Sequence, residues 1–339
     1  MDFIDLTSLH SYSYLLVLAA ILLTTKLLGL FSRWVRLPQV LGALVAGVIL
    51  GPVVNAIVGW STGDGFFSQA AGSDQLFGML SELGVIVLMF GAGLETDVQE
   101  MKKCGKASLI IAVIGVITPL IFGAGASYFF IDDPNSQEKL LKSIFIGVVL
   151  TATSVSITVE TLKELGKLNT PASNAILGAA IIDDVLGIIA LTIITSFKSK
   201  DVNIWFVLIK IVLFFIFAAI LGFIMLKIYK WMNKHTSRDS RRHVIIAFAY
   251  CLVSSFVAEV FFGVADITGA YVAGLVLSMT NRKRYLVNRF STLSYMLLSP
   301  IFFACIGLTI EMPELTVSLL VFAILITIVA VATKLFGCA

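Results

Sequence analysis

Asp183 and Asp184 stand side by side in the middle of an otherwise apolar run, Gly178-Ala-Ala-Ile-Ile-Asp-Asp-Val-Leu-Gly-Ile-Ile-Ala190. An ionised carboxylate at the centre of a bilayer costs at least a few kcal/mol, so such a residue persists only with a partner, water or an ion. Adjacent residues on a helix point about 100° apart. The two acids can therefore face different partners and need not share one proton. The chemistry open to them is reversible binding of a proton or a small cation. A single buried, protonated aspartate bonding a neighbouring helix is the bland alternative, and a doublet fits it poorly. Earlier in the chain, Leu150-Thr-Ala-Thr-Ser-Val-Ser-Ile-Thr158 places five hydroxyls in nine residues. Ser and Thr side chains can rebond backbone groups that a helix releases, so this stretch can unwind and expose carbonyls, with Thr153 and Ser154 at its centre. The competing reading is a continuous helix with its hydroxyls bonded back onto the preceding turn. Lys334 follows Val-Ala-Val-Ala-Thr333 in another apolar run. An ammonium buried there needs a counter-ion, and a carboxylate of the doublet can supply it. Snorkelling to the headgroups is the alternative.

These residues need elements that hold them at one depth, and the composition says what kind. Hydrophobic residues make up 58% of the 339-residue chain and charged residues 13%, about half the share of a soluble domain. Mean hydropathy is +1.00. The charges cluster and leave apolar stretches of about 20 residues, enough to cross a hydrocarbon core roughly 30 Å thick. The chain therefore reads as one all-α, polytopic membrane domain. This excludes the soluble enzyme classes and nucleic-acid binding.

Eleven spans are expected, at about 12–32, 38–57, 75–95, 106–130, 140–165, 172–197, 203–232, 243–262, 264–281, 289–310 and 316–339. Alternate loops then collect Arg33, Arg36, Lys102, Lys103, Lys106, Lys163, Lys167, the basic stretch Lys227–Arg242, and Arg282 to Arg289. The opposite loops hold Lys139, Lys142, Lys198 and Lys200 among acids such as Asp64, Asp74, Asp132, Asp133, Glu311 and Glu314. Basic loops stay in the cytoplasm. The expected location is the cell membrane, with the N-terminus extracellular. Asp2 and Asp5, with no Lys or Arg before residue 12, argue against a secretory leader.

The sequence also repeats itself. Gly42-Ala-Leu-Val-Ala-Gly-Val-Ile-Leu50 in span 2 matches Gly269-Ala-Tyr-Val-Ala-Gly-Leu-Val-Leu277 in span 9 at six of nine positions. In the spans that follow, Phe90-Gly-Ala-Gly-Leu-Glu-Thr-Asp97 corresponds to Cys305-Ile-Gly-Leu-Thr-Ile-Glu311. Spans 2 and 9 run in opposite directions, so the repeats are inverted, as in many secondary transporters. Small-residue packing alone could produce one such match, but less readily two in order. The expected division is residues 1–202 as the first repeat (spans 1–6), 203–242 as linker span 7 with its basic loop, and 243–339 as the second repeat (spans 8–11). Spans 5 and 6 then lack partners, so two further spans, roughly 50–60 residues, are expected beyond Ala339.

The remaining polar residues receive plainer readings. Cys104, Cys251, Cys305 and Cys338 and the three histidines lack metal-ligand spacing. Lys26 and Lys210 read as snorkelling or helix-contact residues, and Glu82 and Glu259 as cross-helix bonds. Pro119 is expected to kink span 4.

Several of these stretches together resemble one family. Leu37-Pro-Gln-Val-Leu-Gly-Ala-Leu-Val-Ala-Gly-Val-Ile-Leu-Gly-Pro52 is similar to the second-helix signature of the monovalent cation:proton antiporter-2 family, and Glu82–Asp97 to its third. Thr151-Ala-Thr-Ser154, Asp183-Asp184 and Lys334-Leu-Phe-Gly337 resemble its broken helix, acidic motif and core lysine. The resemblance implies an inverted-repeat antiporter of about thirteen helices with two crossed broken helices, of which this chain carries eleven and the first broken helix. It also implies a homodimer with a dimerisation domain and a moving core, surrounded by membrane lipid. The double-acid form resembles electrogenic sodium/proton antiporters.

The implied mechanism is competition at one site. Burial raises a carboxylate's pKa and a neighbouring cation lowers it, so a proton and a sodium ion each displace the other from Asp184. Thr153 and Ser154 would add oxygens around the transported ion, and Asp183 would pair with Lys334 until sodium binds. The expected cargo is sodium (or lithium or potassium) and protons, with no cofactor. The activity is transport by alternating access, not enzyme catalysis, in roles such as pH homeostasis. The alternatives are a potassium/proton exchanger of the same fold, a sodium-coupled organic-anion symporter, and a passive channel or structural subunit.

Overall fold

The computed structural model describes residues 6–54, 75–96, 98–131, 135–168, 170–198, 204–235, 240–310 and 316–338. The acids at 64, 74, 97, 132, 133, 311 and 314, together with Arg238 and Lys200, lie outside them. Among the described residues every regular element is helical. We number them α1 (Leu6–Trp34), α2 (Gln39–Val48), α3 (Gln75–Glu95), α4 (Val98–Phe130), α5 (Ser136–Thr151), α6 (Val155–Glu164), α7 (Pro171–Lys198), α8 (Ile204–His235), α9 (Ser240–Val257), α10 (Asp266–Ser278), α11 (Lys283–Leu293), α12 (Ser299–Leu308) and α13 (Val317–Cys338). Wide five-residue turns extend α2 (Ile49–Val53) and α9 (Ala258–Phe262) and join α11 to α12 (Ser294–Leu298).

Each expected span coincides with one helix or a joined pair. Among the described residues seven helical stretches are long and apolar enough to cross a membrane, two of them joined through a wide turn, and Gln39–Gly51 and Asp266–Ser278 are shorter apolar helices. The other two spans are the acid-bearing α7 and the one that differs from a simple rod. That span is cut into α5 and α6, with Ala152, Thr153 and Ser154 non-helical between them. The chain is a multi-pass membrane protein.

The helices gather into two groups. In one, α3 packs against α10 and α12, α2 against α1 and α12, and α9 against α10. Glycines let the backbones meet. A Cβ added at Gly47 would overlap Ala304 O and one at Gly274 would overlap Phe90 O, so only glycine fits either crossing. Facing glycines complete each contact, Gly307 against Leu44 and Gly93 against Tyr271. Around these crossings lies the main buried core, including Phe90, Tyr271, Leu94 and Leu277. Phe90 and Phe290 pack edge to face at 4.7 Å.

The second group is α4, α5, α7 and α13, with α4 touching each of the others. Its helices also approach through glycine: a Cβ at Gly147 would stand 2.5 Å from Leu120 O. Two polar contacts tie α6 back to the first group. The Glu164 carboxylate accepts the backbone N–H of Gln39 at 2.8 Å, capping α2 where Pro38 offers no side-chain cap. Lys163 Nζ lies 3.6 Å from Glu95 Oε1. A cavity of about 240 Å³ opens beside them between α1, α2, α6 and α12. Of the lysines expected to snorkel or touch helices, Lys26 bonds the Tyr295 hydroxyl and Lys210 lies over the Phe206 ring. Glu259 accepts the backbone N–H of Asp266 at 3.2 Å.

Candidate functional site

The break begins where α5 runs out of partners. Ala152 turns to φ −58°, ψ 126° and Ser154 to φ −70°, ψ 100°, neither of them helical. The local hydroxyls take over part of the bonding that the helix gives up. Thr151 Oγ1 donates to Val148 O at 2.7 Å, while in α6 the Thr158 hydroxyl adds a second donor to Ser154 O at 2.9 Å beside the Thr158 N–H. Ser154 Oγ accepts the N–H of Ile157 at 3.4 Å and so caps α6. The interruption spans 152–154, slightly before the centre of the hydroxyl-rich stretch.

Breaking a helix leaves carbonyls at the end of the first half and amides at the start of the second, with partial charges of opposite sign. Lys334 of α13 meets the negative end. Its ammonium donates to Thr151 O at 2.6 Å, Thr153 Oγ1 at 2.7 Å and Gly115 O of α4 at 3.1 Å. It also stands 3.9 Å from Asp183 Oδ2. The lysine is thus held by three oxygens, two from helices and one from the break, before its carboxylate partner is counted.

Asp183 is buried at 8% exposure, and Thr153 lies beside its carboxyl group. One of its oxygens, Oδ1, is fully buried and accepts no hydrogen bond from the protein. Opposite charges about 4 Å apart attract by roughly 4 kcal/mol at an effective dielectric constant near 20, comparable to the cost of burying either ion. Asp184, the next residue on α7, is half-buried. Among the described residues it has no ion-pair partner within 4 Å.

The structure therefore brings Asp183, Thr153 and Lys334 together. It places Ser154 in the same break, with its hydroxyl turned to the helix cap, and Asp184 one step around α7. The carbonyls of Thr151 and Gly115 were missed from sequence, since a main-chain oxygen has no residue-type signature. A hydroxyl-rich stretch does signal freed carbonyls in general, but not which of them a lysine will use.

Comparison with known proteins gives the family. The family model described as sodium/hydrogen exchanger, transmembrane, matches residues 18–339. The chain is 38% identical over 325 residues to the probable Na⁺/H⁺ antiporter GerT of Bacillus cereus, covering 94% of this chain and 80% of that one. It is 35% identical to the Na⁺/H⁺-K⁺ antiporter GerN of the same organism, covering 96% of this chain and 79% of the relative. In three dimensions it is similar to the sodium proton antiporter MjNhaP1 from Methanocaldococcus jannaschii, with a TM-score of 0.66 and 18% identity over 96% of this chain and 77% of that one. The chain belongs to the transmembrane sodium/hydrogen exchanger family of cation:proton antiporters.

Proposed function

We propose that the chain exchanges sodium for protons across a cell membrane by alternating access, at a site formed by Asp183, Asp184, Thr153 and Ser154. The observation that carries this reading is the division of labour within the doublet. Asp183 has a resident cation in Lys334, and Asp184 has none among the described residues. A transported ion arriving at Asp184 finds a carboxylate able to hold either it or a proton, with the oxygens of residues 153 and 154 as further ligands. Binding there draws Asp183 away from Lys334, so that this pair also gives up a proton. More than one proton then leaves per sodium, which makes the exchange electrogenic.

The motion we infer is of the α4–α5–α7–α13 group against the other, within a protein built from inverted repeats over 1–202 and 243–339 with 203–242 between them. The glycine crossings support this. Gly47 meets Ala304 and Gly274 meets Phe90, and the repeat alignment pairs these contacts one for one. The distribution of basic loops supports an extracellular N-terminus, and we expect the protein to work as a homodimer. Potassium is the second reading, favoured by the relative named for both ions.

Purified protein in proteoliposomes with an internal pH dye tests the proposal. Proton movement on addition of sodium or lithium, and less with potassium, is the expected result. Movement with potassium alone would favour the second reading, and none with any monovalent cation would refute exchange.

A further inference from the structure

Pro119 lies inside α4, where a proline has no N–H to donate to the carbonyl four residues earlier. That carbonyl belongs to Gly115, and it accepts the ammonium of Lys334 at 3.1 Å. We propose that Pro119 is a positioning residue for the cation site: it withholds the helix's own donor so that Gly115 O is free for Lys334. This inference rests on the exchange reading above and deepens it.

Three observations converge on the point. Lys334 and Gly337, three residues apart and hence on one face of α13, straddle the turn that Pro119 opens. A Cβ at Gly337 would lie 3.3 Å from Thr118 Oγ1 and 3.5 Å from Ile114 O, so α13 is seated directly on that turn. The second carbonyl held by Lys334, that of Thr151, is freed by the break in α5. Both main-chain acceptors of the lysine are thus carbonyls that have lost helical donors, one to a proline and one to a helix end. A carbonyl without a helical donor can turn both lone pairs to a ligand, and a buried ammonium must have its donors satisfied. The third ligand, Thr153 Oγ1, comes from the break itself.

This arrangement gives Lys334 a seat that does not depend on Asp183. When Asp183 swings toward an incoming cation and Lys334 gives up its proton, the two N–H groups that remain still find acceptors among the three oxygens. The lysine can release its carboxylate and recapture it without leaving the membrane interior. A bend in α4 alone would not need the proline at this position, and what marks position 119 is that its missing donor faces the one α4 carbonyl that Lys334 uses.

The test is a double-mutant cycle on the full chain, combining Pro119→Ala and Pro119→Gly with Lys334→Gln. Both substitutions at 119 restore the N–H, and glycine also keeps the joint flexible. Melting of the purified protein reads the coupling without any need for transport. Each change at 119 is expected to lower the melting temperature by at least about 2 °C more in the Lys334 protein than in the Lys334→Gln background. In sodium-driven exchange, Pro119→Ala should raise half-saturating sodium about tenfold with the maximal rate within about twofold, because Lys334 then leans harder on Asp183. Equal melting shifts in both backgrounds, or a Pro119→Gly protein indistinguishable from the native one, would show that the proline serves the bend alone. A native protein that shows this coupling and exchanges no cation would overturn the transport reading and leave the positioning role standing.

Discussion

The two helix groups solve opposite problems. In the first, α2 crosses α12 and α3 crosses α10 through paired glycines, with backbone against backbone and large apolar side chains such as Phe90 and Tyr271 packed around the contact. In the second, α4, α5, α7 and α13 enclose an interrupted helix, a lysine and two aspartates. Close glycine contact leaves no slack, because any added atom meets a main-chain oxygen. The polar group consists of interactions that have replacements, since a lysine with three oxygens and a carboxylate can exchange one for another. In the proposed exchange the first group serves as the frame and the second is the part that changes partners.

The doublet should give the greatest loss of function. Asp184→Asn should abolish sodium-driven exchange in everted vesicles while the protein remains folded, because an amide cannot alternate between a proton and a cation. Normal exchange by a well-expressed variant would remove Asp184 from the site.

The next largest effect should fall on stability in the first group. Gly274→Ala and Gly47→Ala each push a methyl into a main-chain carbonyl, and overpacking of this kind costs about 1–3 kcal/mol. Gly91→Ala is the control, since nothing lies within 4 Å of its added Cβ. Melting temperatures in detergent should fall for the first two and stay unchanged for the third. A smaller effect is expected from Thr153→Val, which removes one ligand of Lys334 and keeps its volume. A loss of about 1 kcal/mol, or roughly a fivefold change in apparent sodium affinity, follows from one hydrogen bond. The smallest belongs to Lys163→Gln, between the groups. That ion pair is partly exposed, so less than about 1 kcal/mol should be lost.

Much of this was legible in the sequence, for physical reasons. Apolar runs of span length can only be helices in lipid, so the helices fell where hydropathy placed them. The doublet was legible because two adjacent acids in an apolar run are costly. Lys334 was legible for the same reason, as was the hydroxyl-rich break. The main-chain ligands of the lysine were not. Pro119 read as a kink, and which carbonyl it frees matters only once α13 lies against that turn. Lys163 read as a basic loop residue, and nothing in hydropathy distinguishes a charge facing water from one that, like Glu164, caps α2 across the group boundary. The wide turns at Ile49–Val53 and Ser294–Leu298 were hidden too, because they change helix winding without changing composition.

The central claim is that one carboxylate on α7 trades a proton for a cation, and purified protein in weakly buffered detergent tests it most directly. Adding sodium should release protons from the native chain, to an extent that saturates with sodium and is absent at low pH. The Asp184→Asn protein should release few or none, whatever its capacity to fold. Sodium-dependent proton release of native size from Asp184→Asn would contradict the account and place the exchange elsewhere in the molecule.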